Sequence, residues 1–251
     1  MASIELRWDR WPVAKRLVPS LRRRLWAVSH RGHSGVVKRH GARFLILDDR
    51  NWADMGVLMH GVIERDQLCR LVAEIRARAI DTFLDIGANM GVYSVMVAQE
   101  TRCARIIAFE PDRRSFAQLE ANLRLNGLGN RVEARQVAVS DRNGEAPFVL
   151  GPATHNVWSK IASPAEAGST VPAVRLDDAL ALAGRRVALK IDIEGHEIAA
   201  LAGMRKLLAD NACLLQVECW EANAAPFAQA MRALGYDLKD RIAADYYFAN
   251  F

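Results

Sequence analysis

From Asp81 to the C-terminus the chain alternates short apolar runs with amphipathic stretches, and this alternation restricts the fold more than any other feature. Apolar runs at 82–86, 105–109, 132–139, 187–191 and 213–219 read as strands, and helical periodicity over 92–99, 112–126, 177–183, 196–209 and 226–234 fills the intervals. Repeated strand–helix units predict an α/β fold, a doubly wound, mostly parallel sheet covered by helices on both faces. Ligands of such sheets bind at the carboxyl ends of the strands, where the strand order reverses. Residues 146–150, 236–239 and 246–251 read as extended, and 151–171, rich in Gly, Pro, Ser and Ala, as a long loop.

The texture before Asp81 differs. Leu21, Leu25 and Val28 share one face of a helix expected over 20–30, with Ser20 as its N-cap and Pro19 barring any longer continuous helix. Two strands around a His40–Gly41 turn follow, then a helix over 64–79 that buries Leu68, Leu71, Val72 and Ile75. Residues 1–60 thus read as a basic extension of helix and β-hairpin, and 61–251 as the ligand-binding domain. Residues 1–50 carry 12 Lys and Arg against 4 Asp and Glu, a net of +8, while the remainder has a net of −3. Such an excess suits an anionic partner or simply a solvated helix face, and the solvated face is the plainer reading. Trp8, Trp11 and Trp26, interleaved with Arg22–Arg24, fit a lid or packing element first and transient contact with an anionic membrane second. Nucleic acid is not expected.

With 51% apolar and 25% charged residues the chain has the balance of a soluble globular protein. No window is apolar enough to span a membrane, and Arg7, Asp9 and Arg10 interrupt any signal core. A cytoplasmic protein is expected, peripheral at the inner membrane face if the extension touches lipid. Cys69, Cys103, Cys213 and Cys219 have no metal-site spacing and read as buried free thiols.

Three motifs fall at strand ends. L-D-I-G-A-N-M-G-V-Y-S (84–94) forms a strand-to-helix turn in which Gly87 and Gly91 allow the backbone to turn sharply and approach a ligand. A dinucleotide fingerprint would need glycines where Asn89 and Val92 stand, and the P-loop pattern is absent, so the loop suits a nucleoside without a diphosphate. Glu110 ends the next strand, where a carboxylate can accept both hydrogen bonds of a ribose diol or else cap the following helix. Q-V-A-V-S-D (136–141) ends the third strand, with small residues that suit an adenine or a buried strand end alike.

These residues resemble the FkbM family of class I methyltransferases, through D-I-G-A-N-M-G-V-Y-S, F-E-P with L-E-A-N-L-R-L-N, V-A-V-S-D, R-L-D-D (175–178) and above all L-K-I-D-I-E-G-H-E (189–197). The resemblance runs from about Gly61 to the end of the chain. It implies a Rossmann-like domain that binds S-adenosyl-L-methionine and releases S-adenosyl-L-homocysteine. Asp85, Gly87, Ala88, Asn89, Gly91, Tyr93 and Ser94 would then surround the methionine portion, with Glu110 and Pro111 at the ribose and Val139 and Ser140 near the adenine.

In K-I-D-I-E-G-H-E, Gly195 folds the backbone so that Asp192, Glu194 and His196 can all face the crevice. A hydroxyl acceptor gains from a base near its proton. His196, with an ordinary pKa near neutrality, is the first choice for that base and Glu194 the second, while Asp192 positions substrate or donor. A helix N-cap or structural histidine is the alternative for His196. Asp192, Glu194 and Glu218 have the chemistry to ligate Mg²⁺, but such carboxylates more often bind substrate or cap helices, and no metal is expected. His60, His155, Trp158 and Trp220 fall in loop-like stretches near the site, where surface or core roles are the plainer reading. The family implies O-methylation of a hydroxyl on a sugar, glycolipid or secondary metabolite. Rival readings are N-methylation of a peptide or amino sugar and a non-catalytic nucleoside-binding partner module. The acceptor's identity, regiochemistry and oligomeric state are not encoded in any motif.

Overall fold

The computed structural model describes residues 12–29, 34–152, 158–162, 165–166 and 168–251; Trp8, Trp11 and His155 lie outside them. The described residues open with α1 (Pro12–Ser29), the hairpin β1 (Gly35–Arg39) and β2 (Ala42–Ile46), then α2 (Trp52–His60) and α3 (Arg65–Ala77). The strand–helix series follows: β3 (Thr82–Ile86), α4 (Val92–Glu100), β4 (Arg105–Phe109), α5 (Arg113–Leu125), β5 (Val132–Arg135) and β6 (Ala138–Val139). Next come β7 (Gly144–Val149), β8 (Lys160–Ile161), β9 (Ser169–Val174), α6 (Leu176–Ala179), β10 (Arg186–Ile191), α7 (Glu197–Ala202) and α8 (Arg205–Asp210). The chain closes with β11 (Ala212–Glu218), α9 (Glu221–Ala233), β12 (Asp237–Ile242) and β13 (Asp245–Ala249).

The main sheet has seven strands in the order β12-β13-β11-β10-β3-β4-β5. β11, β10, β3, β4 and β5 run parallel, and β13 joins β11 antiparallel. This is the doubly wound α/β sheet that the alternation predicts. Its central strands read as continuous apolar runs because both faces are covered: every residue of β3 is buried. The strand order reverses between β3 and β10, which opens a crevice at their carboxyl ends.

The hairpin turns through His40 (φ 47°) and Gly41 (φ 85°), two left-handed residues as a type I′ turn requires. Phe44 and Ile46 of β2 are fully buried and share one apolar core with Val57, Leu71, Ile106 and Leu119. Side chains of α5 bond this hairpin directly: Asn122 Oδ1 accepts from Leu45 N (2.7 Å), and Gln118 Nε2 donates to the Leu45 carbonyl (2.7 Å).

Several local expectations change. Pro19 lies inside α1 rather than before it. A proline within a helix removes one N–H and crowds the carbonyl four positions back, at about 3 kcal/mol. Tertiary contacts past it hold the helix, with Trp26 buried in the core and Arg22 Nη1 donating to the Met59 carbonyl (2.6 Å). The run 132–139 is two strands: β5 edges the main sheet, whereas β6 leaves it to pair with β9 in a second sheet ordered β6-β9-β7-β8. That small sheet takes in part of the expected loop 151–171. The helix over 196–209 breaks at Gly203, where an added Cβ would lie 1.9 Å from the Ser140 carbonyl oxygen, so the chain passes too close to β6 for any side chain. Pro226 lies inside α9, which starts five residues earlier, at Glu221. α2 has no counterpart in the sequence reading. Cys103, Cys213 and Cys219 are buried free thiols as expected, but Cys69 is exposed on α3, one position past the inward-facing Leu68.

Candidate functional site

A cavity of about 800 Å³ opens at the β3–β10 crevice. Its floor is formed by strand ends that hydrogen bonds lock in place. Gly87 N and Ala88 N both donate to the Phe109 carbonyl (3.0 Å each), and Asp192 N donates to the Ile86 carbonyl (3.0 Å). The seam is tight. A Cβ on Gly87 (φ 82°) would lie 1.8 Å from the Asp192 carbonyl oxygen, so only glycine lets the two strand ends meet.

Glu110 is 7% exposed, with Oε2 accepting from Asn89 N (2.8 Å) and Oε1 from Asp112 N (2.8 Å). Burial pushes its pKa up to about 8, against the pull of these two amides. It does not cap α5, because Asp112 does so by accepting from Arg114 N (2.9 Å). Glu110 lines the cavity. Asp85, 1% exposed, accepts from Ser94 Oγ (2.6 Å), and burial raises it to about 6.

Asp85, Gly87, Ala88, Asn89, Tyr93, Glu110, Pro111, Val139, Asp192, Glu194 and His196 all line the cavity. Gly91, Ser94 and Ser140 do not. Gly91 (φ 85°) starts α4 against Leu119, and Ser94 holds Asp85 from behind. Ser140 faces His196: its Oγ donates to Asp141 Oδ1 (3.0 Å) and lies 2.9 Å from His196 Nε2. When the hydroxyl proton goes to Asp141, His196 donates from Nε2 and Nδ1 is its basic nitrogen. His196 occupies the N-cap position of α7 without a capping bond from its side chain, and burial lowers its pKa. Glu194 stands in the left-handed region (φ 54°), half-buried, with its pKa pushed up to about 7 by burial and then by Asp192 and Glu197. Non-glycine residues in that region concentrate at functional sites. Glu197 fixes the turn, with Oε1 accepting from Gly195 N (2.9 Å).

The acidic wall was only partly legible. Glu64, just before α3 at φ 50°, joins Asp192 and Glu218 so closely that one oxygen from each lies within 4.8 Å of the others. This trio differs by one residue from the oxygen-bearing set of Asp192, Glu194 and Glu218 read from the sequence, since Glu64 stands where Glu194 was named. Lys190 stands in its midst, with Nζ 3.5 Å from both Glu64 and Asp192, 3.9 Å from Glu218 and 3.3 Å from Asp245. Burial alone would discharge this lysine, but the surrounding carboxylates more than reverse that effect and hold its pKa well above the ordinary value. Burial, with Asp192 next, raises Glu218 to about 9. Tyr93 Oη donates to Glu64 Oε2 (2.9 Å) and accepts from Gln216 Nε2 (2.9 Å), and its ring centroid is 5.3 Å from Lys190 Nζ. Removing the ammonium would leave these carboxylates facing one another. Lys190→Met is expected to cost about 3–5 kcal/mol at pH 8 in urea unfolding, and less at pH 5, where the carboxylates take up protons.

The Methyltransferase FkbM domain matches residues 85–238 of this chain. The protein belongs to the FkbM methyltransferase family. Among curated relatives, it is similar to the hexuronic acid methyltransferase AglP of Haloferax volcanii, 27% identical over 148 residues, which cover 58% of each chain. It is also similar to the AMB antimetabolite synthetase AmbE of Pseudomonas aeruginosa, 35% identical over 92 residues, 37% of this chain and 4% of that one. The chain thus spans under two thirds of either relative. Among solved structures, precorrin-6y C5,15-methyltransferase from Geobacter metallireducens GS-15 is similar at a TM-score of 0.46 and 13% identity, covering 75% of this chain and 88% of that one.

The methyl donor of this family is S-adenosylmethionine, a cation at its sulfonium and its ammonium, and the residues present fit it. The acidic wall suits positive charge, Glu110 suits a ribose diol, and Asn89 Oδ1 is buried without a protein partner, so a ligand donor would satisfy it.

Proposed function

We propose that this protein transfers a methyl group from S-adenosylmethionine to a hydroxyl on a sugar, glycolipid or secondary metabolite, with a sugar ring the best supported acceptor. One observation carries this reading. Trp52, Trp158 and Trp220, 46–57% exposed, line the same cavity as the turn at Glu194. Flat aromatic faces at a pocket mouth suit the apolar faces of sugar rings. Lys160 Nζ lies 5.4 Å from the Trp220 ring centroid, where it suits an acidic sugar, and the similarity to a hexuronic acid methyltransferase points the same way.

The bound donor supplies a methyl carbon on a sulfonium, which needs no further activation. The protein's part is to align the hydroxyl with that carbon, an effect that can be worth about 7–11 kcal/mol, and to take the proton. Glu194 is best placed for the second task. The charged groups acting on it are Asp192, Glu197, Lys160 and Lys190, whereas those acting on His196 are Asp141 and Arg142. His196 then braces the turn through Ser140. Asp192 and Glu64, fixed by Lys190, face the donor's positive end. A glycolipid would present its hydroxyl at a membrane surface, beside which the basic N-terminal segment would rest.

The test is methyl transfer from labelled donor to a panel of neutral sugars, uronic acids and amines. Transfer to sugar hydroxyls is expected, with Trp220→Ala raising KM by roughly tenfold at little change in kcat, as loss of uniform binding does. Transfer confined to amines would replace this reading with N-methylation. Donor binding without transfer to any class would favour a non-catalytic partner module.

A further inference from the structure

Four exposed aliphatic side chains of α1 serve neither the fold nor the site. Leu17, Leu21, Leu25 and Val28 are 62%, 58%, 60% and 85% exposed, and their spacing along α1 puts them in one stripe. The body of the protein uses the opposite side of the helix, through buried Trp26 and the bond from Arg22 to Met59. The stripe itself faces out. We propose that α1 docks the protein on an anionic lipid bilayer, with this stripe in the interface and the exposed Arg24 beside it at the headgroups.

Charge selects that occupant. Between residues 12 and 29 stand Lys15, Arg16, Arg22, Arg23 and Arg24, with no Asp or Glu, and Arg24 is exposed. A basic amphipathic helix with a narrow apolar face binds in the plane of an anionic membrane surface. The rest of the chain beyond residue 50 is net negative, so any attraction to that surface comes from this end. Among the described residues no helix is long and apolar enough to cross a membrane, so α1 would lie on the surface. Two copies meeting through this stripe would bring basic helices together without an acidic residue on α1 to offset them. The proposal stands apart from the acceptor reading, since vesicle binding is read without turnover and either one can fail alone.

The experiment is co-sedimentation of the full chain with phosphatidylcholine vesicles, with and without phosphatidylglycerol, at low and high salt. Binding is expected only on the anionic vesicles and weaker at high salt. Leu21→Asp/Leu25→Asp should lower the partition coefficient by roughly tenfold or more, and Arg24→Ala by about fivefold. Both variants change exposed side chains and should keep the parent Tm. Binding that is absent, equal on neutral vesicles or indifferent to both variants would overturn the proposal. So would a dimer formed without lipid and broken by Leu21→Asp/Leu25→Asp, which would assign the stripe to a second copy.

Discussion

Gly87→Ala should abolish practical donor binding, with an affinity loss of roughly a hundredfold or more, about 2.7 kcal/mol. Two effects combine. An alanine at φ 82° sits in the left-handed region at a cost of about 1–2 kcal/mol, and its Cβ would lie 1.8 Å from the carbonyl oxygen of Asp192. That obstacle is backbone and cannot swing aside, so β3 and β10 must part at the point where the ligand would rest. Gly127→Ala is the matched control: φ is 68°, and beyond its chain neighbours no atom lies within 4 Å of the added Cβ. It should lose only the conformational cost, about 1 kcal/mol in unfolding experiments, with donor affinity intact. Calorimetric titration and thermal melts of the two variants side by side would separate strain from collision. Equal behaviour would mean that the seam is not what holds the ligand loop.

Glu194→Gln should lower kcat by roughly 10²–10⁴, the range removed with a general base, while donor affinity changes little. The pH profile carries the stronger signature. A base must be deprotonated to act, and Glu194 is raised to about 7, so wild-type turnover should climb through about pH 7 and level off above it. Glutamine should erase that limb. His196→Ala should weaken turnover by loosening the brace to Ser140 but keep the limb in place. If the limb survived Glu194→Gln and vanished with His196→Ala, the base would be His196 through Nδ1.

The parallel sheet and the glycine turn were legible because their physics is local. Uninterrupted apolar runs mark strands buried on both faces, and Gly87 marks a backbone that needs close approach. That Asp192, Glu194 and His196 come to one cavity was legible for the same reason, since five consecutive positions carry them past one strand end. Glu64 was not, because it reaches the site from before α3, more than a hundred residues from Asp192, at an ordinary-looking helix start. Lys190 could be read as part of a motif but not as the buried counter-ion of carboxylates drawn from three other segments. Ser140 lies off the cavity lining and against His196, and small strand-end residues look alike whether they face a ligand or a histidine. The Leu21/Leu25/Val28 stripe was visible as a face, but periodicity does not say which side the body will use. α2 and the second sheet had weak local signals: Ala138–Val139 and Lys160–Ile161 are two-residue strands.

Central to all of this is a crevice between β3 and β10 shaped for an adenosyl cation and not for a dinucleotide. Isothermal titration of the purified chain with S-adenosylhomocysteine and, separately, with NAD addresses it most directly. One-to-one uptake of the first, weakened by Glu110→Ala, with no heat from the second is the predicted result. Saturable binding of NAD with none of S-adenosylhomocysteine would contradict it.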